Sequence, residues 1–148
     1  MKKITGILLA CAAATAIAIA QEAPSNQAAA PYQSVGTMSQ LMISIIYPTS
    51  NVIFYIHRAP PKNQQEWDEM AGNALTLAES ANLLMMPGRA RDNDKWIKDA
   101  RLLADVGAAA YKAARAKDAD ALIALSDDLN TACVQCHQDY RPNYRKRQ

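Results

Sequence analysis

Near its C-terminus the chain carries Cys133-Val134-Gln135-Cys136-His137, two thiols three positions apart with an imidazole beside the second. On a helical turn that spacing lets each sulfur form a thioether to one vinyl group of a single haem. It also holds the imidazole where it becomes an axial iron ligand. The pattern is the attachment signature of a covalent haem c. Other uses of the same residues fit less well. Zinc wants four N or S ligands, and Cys133, Cys136 and His137 supply three; the other histidine, His57, stands in a distant segment and no second C-x-x-C exists. A dithiol redox motif belongs at a strand-to-helix junction, whereas this one follows Leu122, Leu125 and Leu129 at helical spacing. A structural disulfide ranks below both.

Haem is attached outside the reducing cytoplasm, and the N-terminus supplies a route there. Lys2 and Lys3 precede an apolar run from Ile4 to Ala20 that ends in Ala18-Ile19-Ala20, just before Gln21. That is the layout of a secretory signal peptide over residues 1–20, which points to the periplasm. An uncleaved anchor is the lesser alternative, because the run is short for a span and rich in Ala. Leu8-Leu9-Ala10-Cys11 resembles a lipoprotein processing box, but Ala12 to Ala20 stays apolar where a lipoprotein turns polar, so a lipid anchor on Cys11 is less favoured. Cleavage after Ala20 removes Cys11 and leaves Cys133 and Cys136 as the mature cysteines.

The remaining 128 residues suffice for one domain with one core. The full chain has 16 basic and 14 acidic residues; without Lys2 and Lys3 the balance is zero. No nucleic-acid footprint lies in that balance. Arg141, Arg145, Lys146 and Arg147 form the one local basic cluster, read first as cations favourably placed at a helix C-terminus and second as a patch for an acidic partner. Residues 21–33 lack an apolar period and read as a disordered lead-in.

From Ser34 onward the apolar period is helical. The first segment runs from about Ser34 to His57, with Val35, Met38, Leu41, Met42, Ile45 and Ile46 on one side, and Pro48 is expected to kink or interrupt it. Val52 to Ile56 is a strand on composition alone, but no partner strand is evident. The second segment, about Asn63 to Met86, buries Trp67, Met70, Ala74, Leu77, Ala81 and Leu84 and stops at Pro87-Gly88. The third opens at Asn93 or Asp94 as N-cap, turns Trp96, Ala100, Leu103, Gly107, Ala110 and Tyr111 inward, and fades near Ala116. The fourth opens at Asp118 or Asp120, lays Leu122, Leu125, Leu129, Cys133, Cys136 and Tyr140 along one side, and stops at Arg141-Pro142. Four such helices with short linkers predict an all-α, antiparallel up-down-up-down four-helix bundle over residues 34–148, with the haem motif on its last helix.

The motif in a terminal helix, its continuation Gln138-Asp139-Tyr140-Arg141, the exported helical domain and the early Met-bearing helix together resemble the class II c-type cytochromes, the cytochrome c-prime superfamily. Class I cytochromes c carry the motif near the N-terminus and a Met ligand downstream, the reverse order. The resemblance implies that the first helix supplies the far side of the haem, through a Met in low-spin members and an apolar residue in high-spin ones. Matching Leu41-Met42 to the apolar-Met pair of low-spin members makes Met42 the first choice of distal ligand and Met38, one turn away, the second; the alternative is that both fill core around the porphyrin edge. Arg141, four residues after His137, can lie over the proximal haem face or pair with a propionate, as the family's matching arginine does. Tyr140, Trp67 and Trp96 read as packing residues, and His57 as a surface or capping histidine.

No Ser/His/Asp set or phosphate loop is present, so the residues point to no enzyme chemistry. The leading expectation is a periplasmic electron carrier with one covalent haem, His137 as proximal ligand and redox proteins as partners. Its runner-up is a five-coordinate protein that binds gases such as NO or CO; a haem subunit of a larger oxidoreductase shares the first chemistry. The mature chain is expected to have no integral membrane span, and the superfamily's habit of pairing through its first two helices makes a homodimer compatible with the resemblance.

Overall fold

A computed structural model describes residues 32–141. The expected signal peptide, Cys11, residues 21–31 of the lead-in and the basic tail residues Arg145, Lys146 and Arg147 lie outside that range. The described residues are helical with no strand, and they form four rods compatible with a helical bundle.

The first rod is composite: α1 (Met38–Leu41), a π-helical stretch (Met42–Ile46) and α2 (Tyr47–Phe54) follow one another without a break in helical backbone angles. It starts later than its apolar pattern suggests. Thr37 and Gln40 close a capping box in which the Thr37 hydroxyl accepts the Gln40 amide at 3.2 Å and the Gln40 side-chain oxygen accepts the Thr37 amide at 2.9 Å. Two otherwise orphaned N–H groups are satisfied that way, so the helix begins there and Val35 is left in solvent. Pro48 neither breaks nor ends the rod. The π stretch widens the turn before it, Tyr47 N–H donates to Met42 O, and Pro48 falls in the first turn of α2, where its missing N–H is not needed. The buried Thr49 and Ser50 hydroxyls donate to carbonyls of Ile45 and Tyr47 on the preceding turn. Val52 to Phe54 stay helical, and a turn follows that buries Ile56 and exposes His57.

Helix α3 (Gln64–Met85) is capped by Asn63, whose side chain accepts the Glu66 amide at 2.9 Å. Its stripe of Met70, Ala74, Leu77, Ala81 and Leu84 is buried as the period predicts, while Trp67 is half-buried against the core. Gly88, with φ of +84°, makes the left-handed step after Pro87 that a side chain would resist. Helix α4 (Lys95–Arg115) has Asp94 at its N-cap, but the capping oxygen comes from Asp92, which accepts both the Asp94 and Trp96 amides. Helix α5 (Ala119–Tyr140) opens on Asp118, which accepts the Ala121 amide, and yields to extended backbone at Arg141 ahead of Pro142.

Ile53, Ile56, Leu77, Leu122 and Leu129 are sealed from solvent and form the centre of the core. Each such side chain contributes about 1.5–3 kcal/mol by leaving water. Packing is most extensive between α3 and α4, next between α4 and α5, and lightest between the first rod and its neighbours. The α3–α4 contact depends on Gly107, because a Cβ there would stand 2.7 Å from both Cα and N of Ala78. Backbone atoms cannot swing aside. Gly107→Ala gains about 1 kcal/mol of helix propensity, but overpacking costs about 1–3 kcal/mol or more and the close backbone puts it at the upper end. A net loss of stability is expected, seen as a lower urea midpoint with an unchanged slope. Among the described residues no helix is long and apolar enough to cross a membrane.

Candidate functional site

Cys133, Cys136 and His137 lie on one side of the last turns of α5, half-buried, with both sulfurs as free thiols. Their i, i+3, i+4 spacing puts them on a common face. That face closes one wall of a cleft of about 40 Å³, together with Ala132. Met42 and Ile46, from the two ends of the π stretch, also line it, with Leu84 of α3 and Leu103 and Asp99 of α4. Met42 therefore lines the same cleft as the two cysteines and His137. Met38 does not line it; that residue is half-buried against the core one turn earlier.

Electrostatics keep the three α5 groups neutral. Burial raises the Cys133 thiol above its usual value. The Cys136 thiol is pushed up to about 11, by burial first and then by the negative Asp99 and Asp139, with Lys95 acting against them. A dithiol nucleophile needs the opposite, a lowered value that exposes thiolate. His137 is shifted down, mainly by burial and secondly by the positive Arg141, which favours the neutral ring that can give a lone pair to a metal. Arg141 itself is exposed at the end of α5, where its amide donates to His137 O at 3.1 Å.

Side chains from α4 and from the loop just before it hold this end of α5 in place. Trp96 is buried, donates its indole N–H to Leu84 O at 2.8 Å, and meets Tyr140 edge-on with ring centroids 4.8 Å apart. The Tyr140 hydroxyl donates to Asp92 Oδ2, which holds the Asp92 carboxyl below its usual range and raises the tyrosine. Tyr140 thus both packs and bonds. Lys95 Nζ stands 2.7 Å from Asp139 Oδ2, and that contact raises the lysine. Gln135, between the two cysteines, donates to Asp99 Oδ1 at 2.7 Å.

Asp99 and Gln135 are absent from the sequence expectations. A signal for the first was present: Asp99 falls three residues after Trp96 on the inward stripe of α4, where an acid is out of place unless partnered. Gln135 was concealed as one of the two unspecified positions of C-x-x-C-H. His57 is exposed, accepts from Arg58 Nε at 3.3 Å and does not line the cleft. Among the described residues no three His, Cys, Asp or Glu side chains gather as a cage for a bare metal ion. A porphyrin iron asks less of the protein, since four of its ligands come with it.

Comparison with family models, with curated proteins and with solved structures finds no match to this chain.

Proposed function

We propose that the chain is an exported mono-haem c-type cytochrome of the class II kind, exchanging one electron with redox-protein partners. The observation that carries this reading is that Met42 from the first rod lines one cleft together with Cys133, Cys136 and His137 from the last. Residues so far apart in sequence, each of a type suited to one position around a haem, share one site. Cys133 and Cys136 would hold the porphyrin by thioethers, His137 would bind the iron from the proximal side and Met42 from the distal side. When bound, the haem supplies the one-electron couple, and a weak-donor thioether raises its potential.

The donor set suits the group, and so do the apolar walls from Ile46, Leu84 and Leu103. The cleft volume is well below the several hundred Å³ of a cofactor site. Entry of a porphyrin would therefore have to part the first rod from α5, where packing is light. Short connections between long helices support an antiparallel up-down-up-down course, with α5 as the haem-attachment helix. The apolar run at residues 4–20 supports export to the periplasm, with a lipid anchor through Cys11 as the lesser form.

The test is mass and optical spectrometry of full-length protein expressed with its own leader in an envelope that attaches haem. A polypeptide bearing one tetrapyrrole, a sharp reduced α-band and a ferric sulfur-to-iron band at the red edge are expected. A broad high-spin Soret that moves on CO addition would instead favour the gas-binding reading, and an unmodified polypeptide would remove haem altogether.

A further inference from the structure

Asp99 is the group in the cleft that the proposed function leaves without a task. It is 1% exposed, on the inward face of α4, and lines the same space as Cys136 and His137. One oxygen, Oδ1, accepts from the Gln135 amide. The other, Oδ2, is buried with no hydrogen-bond partner and stands 3.6 Å from Lys95 Nζ, beyond hydrogen-bond reach. Lys95 is itself half-exposed and drawn more closely to Asp139, at 2.7 Å. One cation is shared between two carboxylates, and the buried one has the looser share. Both neighbours of Asp99, an amide NH₂ and an ammonium, offer donors, as suits an acceptor-only carboxylate.

Resting on the haem reading of this cleft, we propose that Asp99 is a potential-setting residue, a fixed negative charge held beside the iron that lowers its reduction potential. The ferric centre carries one more positive charge than the ferrous one, so a nearby anion favours the ferric state. In a dry interior that attraction is weakly screened. Reduction takes one electron from a redox-protein donor; no bond or proton changes hands at Asp99. Its tie to Gln135 fixes the carboxylate relative to the turn that bears both cysteines, so the charge would keep its place if the first rod shifted to admit a porphyrin. Arg141, of opposite sign, works against it from the end of α5.

Redox titration of the haem-loaded protein, with mediators and an optical readout, tests this. Asp99→Asn is expected to raise the ferrous-to-ferric ratio at a fixed ambient potential about tenfold, equivalent to about 59 mV for one electron. Its Soret and α-bands should stay put, since the ligands are unchanged. Asp99→Glu, which keeps the charge, should remain near wild type, and Lys95→Gln, which removes the shared cation, should move the midpoint the other way. A wild-type midpoint in folded, haem-loaded Asp99→Asn overturns the proposal. If that variant does not accumulate, an unmoved midpoint in Lys95→Gln does so. Wild-type protein without bound haem overturns the haem reading and takes this inference with it, whereas bound haem with an unmoved midpoint sinks this inference alone.

Discussion

Replacing Cys133 and Cys136 together by Ser is expected to give a protein from which acidified solvent extracts every haem, while the wild type retains its own. In thioether formation the S–H bond adds across a vinyl double bond, so one S–C and one C–H bond form and no electrons are gained or lost. A serine hydroxyl is far too poor a nucleophile for that addition. Each single variant keeps one linkage and one unsaturated vinyl group, which lengthens the conjugation and shifts the pyridine-haemochrome band to the red. The site favours this outcome over rival uses of the pair, because burial holds both sulfurs as neutral thiols, with Cys136 pushed up to about 11. Thiolate chemistry, whether disulfide exchange or zinc binding, begins with a proton that these groups release reluctantly. If neither single variant changes the haemochrome band, the thioether assignment fails.

Much of the helical arrangement is legible in the sequence, and the reasons differ from element to element. The stripe of α3 from Met70 to Leu84 and that of α5 from Leu122 to Cys136 follow an unbroken 3.6-residue period, so burial could be read from spacing. The first rod could not be read so simply. Its π stretch inserts a residue, so Leu41 and Ile46 are buried five positions apart and Ile45 is only half-buried, while Val35 falls outside the helix because the cap at Thr37 starts it later. Pro48 signalled the disturbance but not its form, because a widened turn removes the same clash that a kink would. At the N-terminus of α4 the N-cap falls on Asp94, one of the two residues expected, but the capping oxygen comes from Asp92, which reaches two amides at once. The cysteines and histidine announce themselves through a motif. Asp99 does not, because its partner Gln135 is distant in sequence and its burial arises only from packing.

That same π stretch gives the second large prediction its register. Met42 opens the stretch and its carbonyl accepts the Tyr47 amide, so its place on the rod is fixed by the irregularity that accommodates Pro48. Met42 lines the cleft that His137 also lines, whereas Met38, one turn earlier, does not line it and packs against the core. In haem-loaded protein Met42→Ala should therefore convert a low-spin spectrum to a high-spin one, abolish the red-edge sulfur-to-iron band and open the iron to CO. Loss of the weak-donor sulfur should also lower the midpoint potential. Met38→Ala should leave the spectrum and CO behaviour as they are, and lose stability by less than the roughly 2–5 kcal/mol typical of emptying a fully buried Met site. A low-spin Met42→Ala protein paired with a high-spin Met38→Ala protein would shift the distal contact by one turn. Retention of wild-type spectra in both would mean that the methionines only fill space around the porphyrin edge, and that the sixth position is held by another group or by none.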